Sequence, residues 1–422
     1  MDVIEIFGGK PLKGKIRISG SKNSALPILA STLLTNSIVR LNNIPNLSDI
    51  FSMIELLKSL NVKILKKKKN CYSFKSNTPE SLVAPYELVR KMRASFLILG
   101  PLLSRYGYAK VSLPGGCAIG TRPVDLHLDG LKKMGASFTI KNGYVYGSVK
   151  SKLKGTSINF KKKSVGATEN LIMAATLADG QTIIYNAAQE PEINDLCNFL
   201  IQIGAKIKGH GTEVITIDGV KKLNRGKFEV MPDRIEAGTF ALSVLGCSGK
   251  LILTGVNTEI YKHLRDILRP ISLLKLKKID NKSFSIEKVR NDSLNLKITT
   301  KEYPGFPTDL QAQLTSALLK IKGLNEINEK IFENRFMHIS ELRRMGAKIK
   351  KKGSKVEITG VKEIYGAELM ATDLRASSCL IIAGLMAKGK TIINRVYHLD
   401  RGYENIEKKL KACGAKINRI NK

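Results

Sequence analysis

Apolar and polar positions follow one pattern that recurs along the whole chain. An apolar stretch with helical spacing ends in Gly-Ala, and a polar and then an apolar residue follow. The pattern occurs as Met134-Gly135-Ala136, Ile203-Gly204-Ala205, Met345-Gly346-Ala347 and Cys413-Gly414-Ala415. Glycine at this place is typical of a helix that ends in a left-handed residue. We therefore predict that a helix ends at each of these glycines and that a strand follows.

Two weaker copies extend the pattern into a repeat. Asn61 takes the place of glycine in Leu60-Asn61-Val62, and Lys275 takes it in Leu274-Lys275-Leu276. The six positions are then 74, 69, 71, 71 and 68 residues apart. A second set of helices rich in small residues, each ending before a strand, is predicted at 97–107, 171–180, 241–249, 317–323 and 383–389. Each of the six units would thus hold two helices and several short strands, with a period longer than that of the common solenoids.

The fourth unit departs from this pattern between Thr258 and Asp280. Its sequence is rich in leucine and lysine, and Arg269-Pro270 interrupts a helical spacing. Proline removes a backbone donor and clashes with the preceding turn, so we expect the helix to kink or end there.

Composition is that of an ordinary globular protein: 43% of the 422 residues are hydrophobic and 25% are charged. Uninterrupted apolar runs stay shorter than the roughly 20 residues that span a bilayer. The first residues carry acids where a secretory signal carries bases, so we expect a cytoplasmic protein. The six cysteines are scattered without Cys-x-x-Cys spacing, and neither a disulfide framework nor a zinc site is expected.

A formal charge of +34 raises the question of nucleic-acid binding. Short basic runs occur at 66–69, 161–163 and 350–352, but lysines are spread over the whole length, without the interleaved aromatic residues of an RNA-binding strand. We therefore favour a generally basic surface that attracts anionic metabolites, with nucleic-acid binding as the alternative.

The segment from Leu113 to His127 is the most informative one for chemistry. It places Cys117 among Gly115, Gly116 and Gly120, five residues before Arg122. A nearby guanidinium favours the thiolate form of a cysteine, and its planar donors suit a phosphate or carboxylate. The segment is thus typical of a mobile loop that carries an acid or nucleophile beside an anion site. The alternative, an inert cysteine in a turn, is about equally consistent with the loop taken alone.

The whole string resembles the active-site loop of the bacterial UDP-N-acetylglucosamine enolpyruvyl transferases. The resemblance covers essentially the full length and includes a block from Ser19 to Pro27, which reads as a strand, a tight turn and a helix start with Pro27 in the first turn. Further similar blocks lie at 90–95, 162–166, 233–239, 303–311, 333–338, 373–377 and 398–404.

The resemblance implies an α/β fold: a two-domain, inside-out α/β barrel of six βαβαββ-like repeats with the active site in the interdomain cleft. The implied domains are residues 22–231, which carry the Cys117 loop, and residues 1–21 together with 232–422. We also expect a monomer that acts on small molecules, without a nucleic-acid or membrane partner.

The implied reaction transfers the enolpyruvyl group of phosphoenolpyruvate to the 3′-hydroxyl of UDP-N-acetylglucosamine and releases phosphate. This addition–elimination is the first committed step of peptidoglycan synthesis. By resemblance, Cys117 is the general acid, Asp309 takes the proton of the hydroxyl, and Lys22 binds phosphoenolpyruvate. No metal or organic cofactor is implied, but Cys117 is expected to form a covalent adduct derived from phosphoenolpyruvate and to be the target of fosfomycin.

A larger set of residues is implied to bind the substrates. Its members are Asn23, Arg93, Arg122, Pro123, Val124, Asp125, Leu126, Lys162, Lys163, Ser164, Val165, Gly166, Arg234, Ile331, Arg335, Asp373, Arg375 and Arg401. Structural roles are the alternative at most of them. Asp309 and Asp373 each stand near a helix start, where aspartate is a favoured cap. An arginine beside an acid is most often an ordinary ion-pair partner.

Three other functions compete with this interpretation. The shikimate-pathway enolpyruvyl transferase shares the fold and the phosphoenolpyruvate chemistry, but it lacks the cysteine loop that residues 114–122 provide here. A nucleic-acid-binding repeat protein would bind in a salt-dependent manner without needing Cys117. A catalytically silent relative would not be expected to retain Cys117, Asp309 and Lys22 together.

Overall fold

A computed structural model describes residues 2–113, 124–289 and 293–421 of the chain. These residues fall into two compact units. Unit A consists of residues 20–113 and 124–231, and unit B of residues 2–19, 232–289 and 293–421. The first strands of the chain therefore belong to the same unit as its C-terminal half.

The strands of the described residues are, in chain order, β1 (Asp2–Phe7), β2 (Leu12–Arg17), β3 (Val39–Asn42), β4 (Val62–Lys68), β5 (Cys71–Ser76), β6 (Val83–Ala84), β7 (Tyr108–Ser112), β8 (Ala136–Lys141), β9 (Tyr144–Val149), β10 (Ser157–Asn159), β11 (Gln181–Tyr185), β12 (Lys206–Lys208), β13 (Val214–Asp218), β14 (Gly226–Glu229), β15 (Gly249–Thr254), β16 (Leu274–Asp280), β17 (Ser283–Lys288), β18 (Lys297–Thr299), β19 (Leu324–Asn328), β20 (Lys348–Lys352), β21 (Lys355–Thr359), β22 (Glu368–Met370), β23 (Lys390–Asn394) and β24 (Lys416–Asn421).

The α-helices are α1 (Lys22–Ser31), α2 (Ser48–Ser59), α3 (Tyr86–Val89), α4 (Leu99–Tyr106), α5 (Asp125–Lys133), α6 (Val165–Ala175), α7 (Pro191–Gln202), α8 (Arg234–Cys247), α9 (Thr258–Leu268), α10 (Gln311–Ala317), α11 (His338–Arg344), α12 (Leu374–Met386) and α13 (Ile406–Lys411). Short 3-10 helices lie at Thr32–Leu34, Arg93–Ile98, Thr308–Leu310 and Val396–Arg401. None of the helices in the described ranges combines the length and apolar character needed to span a bilayer.

The described strands form six four-stranded sheets, three in each unit. Their spatial orders in unit A are β14-β3-β5-β4, β6-β7-β9-β8 and β10-β11-β13-β12. In unit B they are β16-β17-β15-β2, β18-β19-β21-β20 and β22-β23-β1-β24. Every sheet contains one parallel pair, and its other pairs are antiparallel. The predicted α/β fold with six βαβαββ-like repeats is confirmed.

Strands from distant parts of the chain complete three of these sheets. In unit A, β14 pairs in parallel with β3, and Gly226 lies opposite Val39. In unit B, β2 pairs with β15, and β1 lies between β23 and β24. In unit A the last strand thus joins the sheet of the first repeat, whereas in unit B the first two strands of the chain join sheets of the C-terminal repeats.

The helices that connect the parallel strands form the buried interior of each unit. In unit B, α8, α10 and α12 contact one another, and all residues of α10 and all but Leu374 of α12 are buried. These helices are thus buried on all sides, and their polar residues, such as Gln313 and Ser316, form hydrogen bonds within the interior. In contrast, α9 is apolar on one side only, with Ile260, Leu264 and Ile267 buried and its acids exposed.

The predicted helix ends are confirmed at five of the six repeat positions. Gly135, Gly204, Gly346 and Gly414 have φ angles of 96°, 110°, 91° and 92°, and Asn61 has 58°. These left-handed conformations are open to glycine and tolerated by asparagine.

Three predictions at element boundaries are wrong. The small-residue helix predicted at 317–323 lies earlier in the chain, because α10 ends at Ala317. Lys275 does not end a helix: α9 has already ended at Leu268, just before Arg269-Pro270, and Lys275 lies in β16. Pro27 is the sixth residue of α1 and lies beyond its first turn, because the helix begins directly after the cap at Ser21. Since proline has no N–H, the carbonyl of Asn23 loses the donor that a regular helix would supply.

Candidate active site

Lys22 and Asn23 are the first two residues of α1 in unit A. The Ser21 hydroxyl accepts a hydrogen bond from the Ser24 N–H at 3.3 Å and so caps the helix. Lys22 is not a solvated turn residue. Its Nζ lies 3.0 Å from Asp49 Oδ2, and the two side chains are only 13% and 5% exposed. An ammonium group held at a helix N-terminus combines two features that attract an anion.

His127 joins three segments that the sequence analysis assigned to substrate binding. It follows Val124, Asp125 and Leu126 at the start of α5, and its ring packs edge-on against Phe96 in the 3-10 helix that begins with Arg93. A methyl group placed on Gly166 would lie 3.4 Å from the His127 ring. The structure thus brings Phe96, Gly166 and the turn that contains residues 124–126 together around one buried imidazole, with the charge of Arg93 close enough to act on it.

The protonation of His127 follows from its surroundings. Burial, and then the charge of Arg93, lower the pKa of His127 to about 3, so the ring is neutral near pH 7. Its Nδ1 lies 2.9 Å from Asn170 Nδ2, while Asn170 Oδ1 accepts the Gly100 N–H at 2.7 Å. Because the Asn170 amide group must therefore donate to Nδ1, the His127 hydrogen resides on Nε2. Neither His127 nor Asn170 was among the predicted site residues.

Residues 162–166 lead into α6. The Ser164 hydroxyl accepts the Ala167 N–H at 3.3 Å and caps the helix, and Val165 and Gly166 form its first turn. Lys162 is exposed, whereas Lys163 Nζ lies 2.6 Å from Glu213 Oε1. An acid therefore offsets part of the positive charge expected at this turn.

In unit B, two arginines hold the carboxylate of Asp309. Arg335 Nη2 donates to Oδ1 at 2.6 Å, and Arg375 Nη2 donates to Oδ2 at 3.0 Å. The arginine side chains are 4% and 6% exposed, and that of Asp309 is 27% exposed. Asp309 lies inside the 3-10 turn Thr308–Leu310 and does not cap it. Both carboxylate oxygens of Asp309 therefore accept a hydrogen bond from an arginine, and part of the side chain remains exposed to solvent.

This arrangement determines the charge of Asp309. Burial alone would raise its pKa, but the charges of Arg375 and Arg335 and their hydrogen bonds hold the pKa well below the ordinary 3.8. For Arg375, burial opposes the charged form, but Asp309 more than offsets this effect and raises the pKa above its ordinary value. Both groups are ionised at any pH near neutrality.

Asp373 positions Arg375 through the backbone. Its carboxylate accepts the N–H groups of Arg375 and Ala376 at 2.7 and 3.0 Å and caps α12. On its other side, Arg375 Nη1 donates to the Tyr403 hydroxyl at 3.2 Å. Tyr403 was not among the predicted site residues.

A second acid organises the segment that contains Ile331. Glu329 is buried, and its carboxylate accepts hydrogen bonds from the hydroxyl groups of Thr300 and Thr308 at 2.9 and 2.8 Å. It also accepts a hydrogen bond from the Ile331 N–H at 2.8 Å. It therefore connects the residue before Asp309 to the predicted contact residue Ile331. Glu329 was also missed, because nothing in its local sequence marks it.

Arg234 begins α8 and has aromatic neighbours. Its guanidinium lies 5.7 Å from the centre of the Tyr303 ring, and its Nη1 lies 3.5 Å from His263 Nε2. Burial, and then the charge of Arg234, lower the pKa of His263 to about 3, so this nitrogen can accept a hydrogen bond. Arg401 ends the 3-10 helix Val396–Arg401 and is half-buried.

Cys117, Arg122 and Pro123 lie outside the described residues. Within residues 2–113, 124–289 and 293–421, no three His, Cys, Asp or Glu side chains are grouped to hold a metal ion.

Comparisons with known proteins agree with these features. The family model of EPSP synthase (3-phosphoshikimate 1-carboxyvinyltransferase) matches residues 6–410. Proteins from Pelagibacter ubique and Lawsonia intracellularis, both named UDP-N-acetylglucosamine 1-carboxyvinyltransferase, are each 52% identical, with full coverage of both chains. The enolpyruvyl transferase NikO from Streptomyces tendae superposes with a TM-score of 0.89 over 99% of both chains, at 22% identity. At 22% identity, the similarity to NikO shows a shared fold only.

Proposed function

Because this chain belongs to the enolpyruvyl transferase family, and within it to the UDP-N-acetylglucosamine 1-carboxyvinyltransferases, we propose that Cys117, Asp309 and Lys22 carry out its reaction. The enzyme transfers the enolpyruvyl group of phosphoenolpyruvate to the 3′-hydroxyl of UDP-N-acetylglucosamine and releases phosphate. The observation that carries the assignment of residues is the ionised carboxylate of Asp309, oriented by Arg335 and Arg375 with one side open.

The addition step requires a proton at carbon and a nucleophile at its neighbour. Cys117 donates its thiol proton to the methylene carbon of phosphoenolpyruvate, which leaves an oxocarbenium-like centre at the adjacent carbon. The sugar 3′-oxygen attacks that centre, and its proton passes to Asp309, giving a tetrahedral ketal. Elimination then reverses the first proton transfer: the methyl group returns a proton to the Cys117 thiolate, the double bond forms again, and the bond to phosphate breaks. The proton held by Asp309 leaves with the released phosphate.

The low pKa of Asp309 suits this sequence of events. A carboxylate of low pKa is a weak base towards an ordinary alcohol, but it orients the hydroxyl group by accepting its hydrogen bond. As the oxygen bonds to an electron-deficient carbon, its proton becomes strongly acidic and then transfers to the carboxylate. The arginine contacts therefore favour a base that acts late, in the transition state.

Substrate charge is matched by the basic residues of the predicted set. Phosphoenolpyruvate carries a phosphate and a carboxylate, and we assign Lys22, Arg122 and Arg401 to these groups. We assign Arg93, residues 123–126 and residues 162–166 to the nucleotide, and Asn23, Arg234, Ile331, Arg335, Asp373 and Arg375 to the sugar and the reacting groups. Charge-assisted hydrogen bonds from fixed donors stabilise the developing charges of the transition state.

Cys117 is also proposed to form an adduct with phosphoenolpyruvate. Its sulfur would bond to the carbon that bears the phosphate, and the thiol hydrogen would go to the methylene carbon, without any other reactant. Incubation with phosphoenolpyruvate should raise the protein mass by one substrate molecule in the wild type and not in Cys117→Ser. Neither reaction requires a metal or organic cofactor.

We further propose that the enzyme is cytoplasmic, since both substrates are phosphorylated metabolites of the cell interior, and that it is a monomer. Light scattering of the purified protein tests the monomer, and a dimer at working concentration would contradict it.

Phosphate release with two acceptors tests the function. The wild type should release phosphate from phosphoenolpyruvate with UDP-N-acetylglucosamine and not with shikimate 3-phosphate. Cys117→Ser should be much slower. Activity with shikimate 3-phosphate alone would instead support the shikimate-pathway reaction, and silence with both acceptors would refute enolpyruvyl transfer.

A further inference from the structure

Tyr403 lies at the point where the three buried helices of unit B meet. Its side chain is only 2% exposed, although it carries a hydroxyl group. The partners of that hydroxyl are Thr239 in α8 at 2.8 Å, Gln313 in α10 at 3.1 Å, and Ser378 and Arg375 in α12, both at 3.2 Å. One oxygen atom thus connects all three helices.

The direction of each hydrogen bond can be deduced. Thr239 donates its own hydrogen to the Ile235 carbonyl at 2.8 Å, and Ser378 donates to the Arg375 carbonyl at 3.0 Å. Both hydroxyl groups are therefore available to Tyr403 only as acceptors. Arginine and the amide nitrogen of glutamine can only donate. Tyr403 consequently gives its one hydrogen to Thr239 or Ser378 and accepts from Gln313 and Arg375.

Gln313 connects the same point to the acid. Its Nε2 donates one hydrogen to the carbonyl oxygen of Asp309 at 2.8 Å, and its second hydrogen is shared between Thr239 and Tyr403, both at 3.1 Å. Asp309 is thereby tied to this network in two ways: through its backbone by Gln313, and through its carboxylate by Arg375. Arg375 in turn divides its two terminal nitrogens between the carboxylate and the Tyr403 hydroxyl.

We propose that Tyr403 is a positioning residue, whose hydroxyl fixes the orientation of the Arg375 guanidinium and, through it, the Asp309 carboxylate. Without that acceptor, Nη1 of Arg375 would be left unsatisfied in a buried site, and the guanidinium would rotate to find another partner. The role of Asp309 as a base rests on the proposed function, whereas its orientation by Tyr403 does not. The inference adds a residue that touches no substrate to those that set the reaction rate.

Tyr403→Phe tests this role, because it keeps the ring and removes only the hydroxyl. We expect kcat to fall about 10- to 100-fold, as for a base misplaced by a fraction of an ångström, with KM for both substrates changed by less than about threefold. The matched control is Ser316→Ala, which removes another buried hydroxyl of the same helices; Ser316 donates to the Cys379 carbonyl at 2.7 Å. The control should lower Tm by a similar amount and leave kcat within about twofold.

A double-mutant cycle separates positioning from general loss of structure. If Tyr403 acts through Arg375, Tyr403→Phe should lower kcat far less in an Arg375→Lys background than in the wild type. Additive effects, or a kcat of Tyr403→Phe within about twofold of the wild type, would overturn the inference. If Tyr403→Phe fails to fold, Thr239→Val removes an acceptor of the tyrosine hydrogen and should lower kcat in the same direction, less strongly.

A titration that needs no activity distinguishes this inference from the proposed function. The charged groups that act on Asp309 are Arg335 and Arg375, and Asp233 also acts on Arg375. In ¹³C-carboxyl-labelled protein, the Asp309 resonance, identified by its loss in Asp309→Asn, should titrate at higher pH in Tyr403→Phe than in the wild type. That shift in an enzyme without transferase activity would sustain the positioning role and refute the proposed function. An unchanged titration in an active enzyme would refute the positioning role alone.

Discussion

At the scale of single residues, the clearest feature is an acid whose charge is set by two arginines. Asp309 stays ionised because the attraction of Arg335 and Arg375 outweighs the cost of burial. A carboxylate in this state cannot act as a proton donor near pH 7, so the acid of the reaction must be another group. We propose Cys117 for that role, as the family resemblance implies.

Asp309→Asn should be a severe loss of function. The amide cannot accept a proton, and its NH₂ group would face one of two buried guanidinium groups. We expect kcat to fall about 10²- to 10⁴-fold and the free energy of unfolding to fall by about 1–3 kcal/mol. Stopped-time phosphate assays and urea denaturation measure the two effects. A variant with nearly normal kcat would exclude Asp309 as the base.

The buried Glu169 in α6 should make stability depend on pH. Burial, and then the charges of Glu192 and Glu190, raise its pKa well above 4.5 in the folded state. The folded protein therefore binds a proton that the unfolded chain releases above that pH. The contribution of Glu169 to the free energy of unfolding is fully present below the pKa that the group has in the unfolded chain. It falls by about 1.4 kcal/mol per pH unit as the pH rises towards the pKa of the folded state.

Glu169→Gln removes this dependence by replacing the acid with a neutral group of the same shape. Its Tm relative to the wild type should rise between about pH 5 and about pH 8. Thermal unfolding followed by circular dichroism at several pH values measures the difference. A constant Tm difference over that range would show that Glu169 does not bind the proton.

At the scale of elements, helix caps connect stability to the site. Asp373→Ala removes the cap of α12 and should lower the free energy of unfolding by about 1 kcal/mol. It should also lower kcat, because Arg375 lies in the first turn of the same helix. The matched control is Asn257→Ala, which removes the cap of α9, where Asn257 accepts the Ile260 N–H at 2.8 Å. Equal effects of the two variants on kcat would contradict the role of the α12 cap.

Much of the architecture could be predicted from the sequence, since it depends on local rules. The glycines and Asn61 end helices because only such residues adopt positive φ readily. Lys275 was misassigned because the turn at Arg269-Pro270 shortens the fourth repeat before the expected position. Tyr403 and Glu329 could not be found in this way. Their roles arise from partners in distant segments, which no local pattern encodes.

At the scale of the whole molecule, two of the three basic runs coincide with edge strands. The basic runs at 66–69 and 350–352 lie in or beside β4 and β20, each of which ends its sheet. Lysines on an exposed edge prevent strands of other molecules from pairing there. The same charge creates a field that attracts anionic substrates.

Added salt should therefore slow the binding of the substrates more than it slows the chemical step. Between about 20 mM and about 200 mM salt, kcat/KM should fall several-fold while kcat changes little, because screening acts on encounter. Steady-state assays over this range test the effect.

A nucleic-acid-binding protein would instead bind a DNA or RNA probe, with an affinity that falls steeply as salt is added. Tight binding of such a probe at physiological salt would contradict our interpretation.

The most direct test of enolpyruvyl transfer follows the carbon atoms of phosphoenolpyruvate. With ¹³C-labelled phosphoenolpyruvate and UDP-N-acetylglucosamine, we predict that the vinyl carbons reappear by NMR in an enol ether at the 3′-oxygen, with one phosphate released per ether formed. Release of phosphate with labelled pyruvate and no ether would contradict the account, because phosphoenolpyruvate would then have been hydrolysed rather than transferred.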